Sequence, residues 1–248
     1  MRSPKHSCLQ ILAAAYLALL YFPQGVTASI SPEDDPVAAA VEAARRTHAE
    51  KQLQSVKTQL EQRIAQNPND AGSYLDLARV QGYFADVSEM RKDKKAAAEA
   101  VDKAIEAVQR SIQLNDKSAE AHSLLADLYG RKIGLGNGMF AGPKFGPKVK
   151  EENARAMALD DKNSRVWASL GRQYLMAPKM FGGDIPKAIE NFQKSLALDP
   201  AQDETWVWLS KAFQKRGDKA KARDALQQAL RLNPQSPFVK DTAATLDK

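Results

Sequence analysis

The sequence predicts an all-α protein built from stacked, antiparallel helix pairs, and three observations carry this prediction. In residues 203–236, large apolar side chains recur at i, i+3 and i+7, which is the spacing of one face of a helix. A motif that ends helices, Asn or Asp followed by Pro or Asp, recurs along the chain at intervals of 48, 45, 39 and 34 residues. No segment alternates apolar and polar residues in the way that a half-buried strand does.

The last unit, residues 203–236, has seven residues at the offsets that define a tetratricopeptide repeat (TPR). The offsets are 3, 4, 9, 4, 3 and 5, and only Ser210 departs from the pattern, because Gly is usual at that position. The segment therefore resembles a TPR unit. This resemblance implies a right-handed solenoid that buries a continuous core by stacking and leaves a concave surface lined by the first helix of each pair. The seven residues are Trp206, Leu209, Phe213, Ala222, Leu226, Ala229 and Pro234.

The turns of this unit follow from its Gly, Asn and Pro residues. Gly217 accepts the backbone angles that end a helix, and Asp218 is expected to cap the helix that follows. Asn233 is expected to adopt the left-handed region just before Pro234, which cannot continue a helix.

The three preceding units are longer than the last one, and their excess of 14, 11 and 5 residues falls between the two helices of each unit. The first excess, around residues 90–100, is charged and Ala-rich, so we expect it to lengthen the helices. The other two, residues 134–146 and 176–186, are rich in Gly and Pro and are expected to be loops. The predicted units are residues 71–118, 119–163, 164–202 and 203–236.

Atypical segments flank the repeats, as solenoids require to cover their end faces. Residues 29–70 are predicted to be a linker followed by a long capping helix, because residues 37–66 contain neither Gly nor Pro. A degenerate first repeat is the alternative, with Val56 and Leu60 in its second helix. Residues 237–248 are predicted to form a short C-terminal cap.

Residues 1–28 have the pattern of a secretory signal peptide. Arg2 and Lys5 form a basic end, residues 9–22 form an apolar run, and small residues precede a cleavage site that we expect after Ala28. The run is shorter than the about 20 residues that a bilayer-spanning helix needs. We therefore expect export to a periplasm or to the exterior, with no membrane span after cleavage. An uncleaved membrane anchor is the alternative.

Composition and motifs argue against an enzyme, and we predict no catalytic residue, metal site or cofactor. Cleavage would remove Cys8, the one cysteine of the chain, and with it thiol chemistry and disulfides. The formal net charge would fall from +6 to +4 with both signs interspersed, which does not indicate a nucleic-acid partner. His122 is expected to be a packed, hydrogen-bonded core residue, whereas His48 is expected on a solvated helix.

The TPR resemblance implies that a protein or peptide partner binds the concave face. Arginines on that face can pair with carboxylates of an extended segment. The Asn positions of the clamp that some TPR proteins use for chaperone tails are not matched, since Asp76, Leu124 and Asp127 stand there. The sequence does not predict an oligomeric state. The predicted partner-binding residues are Arg79, Tyr83, Asp127, Arg131, Arg165, Arg172, Trp208 and Lys211.

The two Gly-rich insertions have similar apolar tips, Met139-Phe140 and Met180-Phe181. These side chains either tuck back between the repeats or form a lip that faces a ligand or partner, because Met and Phe make adaptable apolar contacts. The Pro-x-x-Phe-Gly-Gly-Asp segment at residues 178–184 also resembles inter-helix loops of periplasmic TPR proteins such as the T component of TRAP-type transporters. The alternative function is therefore a small-ligand or lipid-binding accessory of an envelope transport system.

Overall fold

The computed structural model describes residues 35–136 and 138–246, which form α-helices joined by turns. The predicted signal peptide lies outside these residues. Within the described ranges, no helix combines the length and the apolar character that crossing a bilayer requires. The helices are α1 (Pro36–Thr47), α2 (Glu50–Gln66), α3 (Ala71–Met90), α4 (Lys94–Leu114), α5 (Ala119–Leu135), α6 (Gly138–Leu159), α7 (Ser164–Met176), α8 (Ile185–Leu198), α9 (Asp203–Arg216), α10 (Lys219–Leu232) and α11 (Pro237–Leu246), with a 3₁₀ helix (Lys179–Phe181) between α7 and α8.

The helices pack as successive pairs, α1 with α2 through α9 with α10, and α11 covers the last pair. Each first helix also packs against the first helix of the next pair, and each second helix packs against the first helix that follows it. First helices α1, α3, α5, α7 and α9 therefore form an inner layer, and the second helices form an outer layer. This arrangement confirms the predicted all-α solenoid of helix pairs. Each of the four predicted repeat units contains one pair.

The segment for which the sequence favours one long N-terminal helix instead forms two helices, α1 and α2. His48 ends α1 in the left-handed region, with φ 50°, and its backbone N–H donates to the carbonyl of Ala44. Reversing the chain at this point lets α2 bury Leu53, Val56 and Leu60 in a core shared with α1 and α3. The alternative of a first helix pair describes this region. The turn between α1 and α2 contains neither Gly nor Pro. The chain reverses there because both helices bury an apolar face.

The first two longer units lengthen their helices more than their loops. Helices α3 and α4 have 20 and 21 residues, as the charged, Ala-rich excess predicts. The Gly-rich residues 138–146 differ from the expected loop, because they form the start of α6. Phe145 stacks on Tyr129 of α5 with ring centroids 5.6 Å apart, and this contact stabilises the extended helix pair.

The insertion after α7 is a compact turn, as expected. Gly182 adopts φ 96°, a conformation that favours glycine. At Gly183 an added Cβ would overlap the carbonyl oxygen of Ala177, so only glycine fits. The chain then enters α8, where the carboxylate of Asp184 accepts a hydrogen bond from the backbone N–H of Lys187.

The turns of the last unit agree with the sequence prediction at one residue and differ at two. Gly217 ends α9 with φ 91°, as predicted. Asp218 does not cap α10, because its carboxylate is bound by Arg216 at 2.8 Å. Asn233 has φ −146° and ψ 81°, and it is not left-handed. Its buried side chain donates to neighbouring elements, and those bonds determine its conformation.

The small residue of the repeat pattern is required by close packing between the helices of a pair. Phe192 is fully buried, and a Cβ added to Gly171 would lie 2.5 Å from its ring. In the last pair Leu226 occupies the repeat position of Phe192, and its side chain is smaller. Ser210 is accommodated there because its hydroxyl donates to the carbonyl of Ala222 at 2.7 Å.

Candidate partner-binding groove

Acidic and basic side chains at equivalent positions of α5 and α7 form ion pairs along the inner layer. Glu120 and Arg165 are each the second residue of their helix, and their side chains lie 2.8 Å apart. Asp127 and Arg172 are each the ninth residue, and they share two hydrogen bonds, of which the one from Nε measures 2.9 Å. Equivalent positions of neighbouring first helices are therefore adjacent in space.

Arg79 of α3 belongs to the same network, because it binds both Asp76 and Glu120. Burial raises the pKa of Glu120, but the charges of Arg79 and Arg165 outweigh it and hold that pKa below its ordinary value. The pKa of Asp76 lies above its ordinary value, because burial outweighs the charge of Arg79. These arginines are thus neutralised within the chain, which reduces what they can offer a partner.

A second cluster joins α1, α3 and α5. The guanidinium of Arg131 lies 2.9 Å from Asp86 and 2.7 Å from Glu89. Asp86 also binds His48 at the end of α1, at 3.2 Å, and the His48 ring meets Tyr83 edge-on with centroids 5.5 Å apart. His48 is therefore buried, and the expectation that it lies on a solvated helix is wrong.

Helix α1 also reaches the last repeat. Arg45 lies 2.8 Å from Asp203, which is buried at the start of α9. Arg46 donates to the carbonyl of Leu232 at 2.8 Å. The amide of Asn233 donates to Asp203 at 2.7 Å and to the carbonyl of Arg46 at 3.1 Å. These contacts close the solenoid on itself, since Arg45 and Asp203 are 158 residues apart.

A cavity of about 190 Å³ lies between α1, α3 and α7, and we call it the inner cavity. Arg165 lines it with 51% of its side chain exposed, although it is paired with Glu120. The cavity therefore combines two arginines and two carboxylates with an aromatic ring and two apolar residues, and Arg165 is its half-exposed cation. Its lining residues are Ala38, Val41, Glu42, Asp76, Arg79, Tyr83 and Arg165.

Trp208 and Lys211, predicted for the same face, pack against the C-terminal cap instead. The Trp208 ring lies 5.5 Å from that of Phe238 in α11, and the Lys211 ammonium lies 4.3 Å from the centroid of Phe238. Burial lowers the pKa of Lys211, and the charges of Asp241 and Glu89 oppose it less strongly. Helix α11 thus engages these two side chains, and they do not line the inner cavity.

The apolar tips of the insertions do not tuck back between the repeats. Met139 and Phe140 are 78% and 74% exposed, and Met180 and Phe181 are 83% and 57% exposed. The tucked alternative is therefore wrong, because these side chains face solvent. Their role as a lip for a ligand or partner stays a prediction.

His122 is buried, as predicted, with its ring nitrogens 2.6 Å from Glu152 and 3.1 Å from the carbonyl of Asp116. Among residues 35–136 and 138–246, no group of three His, Cys, Asp or Glu side chains is arranged to hold a metal ion. The polar chemistry of the inner layer therefore consists of ion pairs and hydrogen bonds between helices.

Sequence reasoning missed the acidic partners of the arginines and the contacts of α1. One signal was available: Glu120 with Arg165, and Asp127 with Arg172, are each separated by 45 residues, which is the repeat interval in that part of the chain. No comparable spacing relates Arg45 to the last repeat. Its partner is determined by how far the solenoid curves.

The pairing of His48 with Asp86 predicts a pH-dependent attachment of α1. Burial lowers the pKa of His48, but the hydrogen bond and the charge of Asp86 raise it by more, so the pKa lies above its ordinary value. The charge of Glu204 also raises this pKa, and the charge of Arg45 lowers it. A histidine whose pKa is raised in the folded state stabilises the fold fully at pH values below its unfolded-state pKa of about 6.5. That stabilisation is lost as the pH rises through the folded-state pKa. We therefore expect His48→Asn to destabilise the protein more at about pH 5.5 than at about pH 8.5, two values on either side of the unfolded-state pKa.

Urea denaturation of the wild type and the variant at both pH values checks this expectation. Asp86 stays ionised throughout, because its own pKa is held below its ordinary value by Arg131 and His48 in spite of burial. A difference between the two proteins that is constant or grows with pH would contradict the assignment.

The stacked helix pairs and their inner layer of first helices define the class: the chain is a TPR solenoid protein. It belongs to the family described as regulator of microtubule dynamics protein 1-3, whose sequence profile matches residues 40–248. A comparison with curated proteins finds no match.

Solved structures of TPR proteins are similar in fold. TTC0263, a TPR protein of Thermus thermophilus, is 15% identical and superposes with a TM-score of 0.61, over 85% of this chain and 98% of that one. MamA is 18% identical over 85% of this chain and 97% of its own, with a TM-score of 0.42. PilF of Pseudomonas aeruginosa is 20% identical over 68% and 67%, with a TM-score of 0.44. The likeness to the T component of TRAP-type transporters is not supported.

Proposed function

We propose that this protein is a non-enzymatic scaffold that binds a segment of a partner protein along the inner layer, at the inner cavity. The observation that supports the proposal is the half-exposed side chain of Arg165, which lines that cavity. A carboxylate of an extended segment can share Arg165 with Glu120, while apolar side chains contact the wall formed by α1. The TPR fold supports the same reading, because TPR proteins are generally interaction proteins.

Charge reversal at Arg165 tests this proposal against a matched control. Arg155 lies on α6 in the outer layer, is exposed to the same degree (50%), and is likewise paired with one carboxylate, that of Asp116. Its Nε also donates to His122 at 3.1 Å, so the fold of this variant is checked by circular dichroism. We expect Arg165→Glu to weaken capture of the partner by roughly tenfold, and Arg155→Glu to leave it unchanged. Capture is measured by crosslinking and mass spectrometry on the full chain from its own cells. Equal capture by the two variants, or crosslinks confined to the outer layer, would overturn the proposal.

The identity of the partner depends on where the protein is located. The name of the matched family makes microtubules, or proteins bound to them, one candidate. We also propose, from the sequence, that residues 1–28 direct export to a periplasm or to the exterior, which would separate the chain from cytoplasmic microtubules. The intact mass of the protein from its own cells distinguishes these proposals. A chain beginning at Ser29 supports export with cleavage, and a chain that retains residues 1–28 contradicts cleavage and favours the uncleaved membrane anchor.

The alternative function, a small-ligand or lipid-binding accessory of an envelope transport system, is favoured by one observation. Phe140 and Phe181 are exposed at the tips of neighbouring repeats, where they can contact an apolar ligand. Native mass spectrometry tests this alternative. It requires a ligand that survives purification and is lost from the variant Phe140→Ser with Phe181→Ser, and a ligand-free wild type would contradict it.

A further inference from the structure

The connections between the first and second helices of the pairs α3/α4 to α9/α10 lie along one edge of the solenoid, which we call the connecting rim (residues 90–95, 135–136, 138–150, 176–187 and 215–221). Contacts at its border join each connection to the next. Arg131 reaches Glu89 at 2.7 Å, Lys150 lies against Gly182, and Lys215 donates to the carbonyl of Leu175 at 3.2 Å. The four connections therefore form one continuous surface.

The connecting rim is strongly basic. It contains thirteen Lys or Arg residues and three acidic ones, Asp93, Asp184 and Asp218. Asp93 and Asp184 accept hydrogen bonds from helix N-termini. Three of the rim cations are paired, Arg91 with Glu50, Lys187 with Asp184 and Arg216 with Asp218, so basic residues remain in excess. The opposite edge has the reverse balance, with eight acidic and three basic residues. That edge comprises residues 66–71, 114–120, 159–165, 198–204 and 232–237.

Exposed apolar side chains lie on the same rim. Among the described residues, eight large apolar side chains are exposed, and six of them belong to the connecting rim. The other two, Leu159 and Leu198, are on the opposite edge and are 38% and 47% exposed, whereas five of the six on the rim are 57–83% exposed. Exposure of apolar side chains to water is unfavourable, so a group of them on a basic surface indicates an interaction site. The six are Met90, Met139, Phe140, Met176, Met180 and Phe181.

We propose that the connecting rim binds the surface of an anionic membrane. Lysines and arginines near such a surface are attracted to acidic lipid headgroups, and apolar side chains between them enter the boundary of the acyl chains. A nucleic acid would use the cations but leaves no role for the Met and Phe tips. Binding in this orientation faces the acidic edge away from the membrane, and the inner cavity lies between the two edges. The proposal does not depend on what occupies that cavity.

Sedimentation with vesicles tests the charge of the rim. Full-chain protein is mixed with vesicles of phosphatidylcholine alone, or with about 30% phosphatidylserine. We expect Lys144→Glu with Lys179→Glu to lower partitioning onto anionic vesicles by roughly tenfold or more. The matched control, Lys117→Glu with Lys162→Glu, changes the same number of exposed lysines on the opposite edge and should leave partitioning within about twofold. Residues 1–34 are the same in all these proteins, so a difference in partitioning between variants arises from the substituted lysines.

A fluorescent label tests the orientation directly. In a Cys8→Ser chain, an environment-sensitive dye is attached at Met180→Cys on the connecting rim, or at Leu198→Cys on the opposite edge. Anionic vesicles should shift the emission to the blue at the first position and leave the second unchanged, and added salt should reverse the shift. An equal response at both positions, or no response at the rim, would overturn the proposal. Binding of a DNA duplex in place of vesicles would assign the rim to nucleic acid and overturn it as well.

Discussion

Replacing Phe192 by Ala should lower the free energy of unfolding by about 3–5 kcal/mol. Its side chain is fully buried in the core formed by α7, α8 and α9. The ring also lies directly against Gly171, where even a Cβ would approach it to 2.5 Å. Removing the ring therefore leaves a cavity between helices that are already in close contact and cannot collapse further.

Urea denaturation followed by circular dichroism measures this loss. Phe140→Ala makes the same change at a side chain that is 74% exposed, and it should alter the free energy of unfolding by less than about 0.5 kcal/mol. Similar losses in the two variants would show that Phe192 is not a core residue. A double-mutant cycle adds a sharper test, because Gly171→Ala should be less harmful when Phe192 is replaced by the smaller Leu.

Replacing Arg45 by Met should detach α1 from the last repeat, with a loss of about 3–5 kcal/mol in its docking. The Arg45 side chain is 11% exposed and that of Asp203 is 2% exposed, so the variant leaves a buried carboxylate without its cation. Burial lowers the pKa of Arg45, but the carboxylates of Glu42, Glu204 and Asp203 outweigh it and hold that pKa above its ordinary value. Their charges therefore favour a permanently charged Arg45, which Met cannot replace.

Amide hydrogen exchange separates detachment of α1 from global unfolding. Protection in Pro36–Thr47 should fall by orders of magnitude while α5 and α6 remain protected. Arg91→Met is the control, because Arg91 and Glu50 form an ion pair whose side chains are 62% and 55% exposed, and such pairs contribute less than about 1 kcal/mol. Adding Asp203→Asn to the Arg45 variant should restore part of the protection, since it removes the orphaned charge. Unchanged exchange in α1 would contradict the closure.

The architecture could be predicted from the sequence because the residues that define a TPR lie close together in the chain. Helical spacing at Trp206, Leu209 and Phe213 and the glycine at the end of α9 act within one pair, over a few residues. The N-terminal break could not be predicted in this way. His48 is an ordinary residue for a helix, and it ends α1 only because both α1 and α2 bury apolar faces.

The sequence predicted which arginines lie on the inner layer, but it did not predict that carboxylates of the same chain neutralise them. Sequence position places Arg79 and Arg172 on the inner layer, whereas the carboxylates that neutralise them come partly from other helices. The 45-residue spacing between Asp127 and Arg172 could have revealed one such pair, because equivalent positions of adjacent repeats meet. A site built from cross-repeat contacts is thus only partly visible in one repeat.

By itself, the sequence determined the all-α class and the helix pairs of residues 71–236, since each depends on residues close in the chain. Only the tertiary structure decided that α1 meets the last repeat, that Trp208 faces α11, and that the basic connections form one rim. The physical reason is that the curvature of a solenoid is the sum of small rotations between successive repeats. No local pattern records that sum, so contacts such as Arg45 with Asp203 arise only once every repeat is stacked.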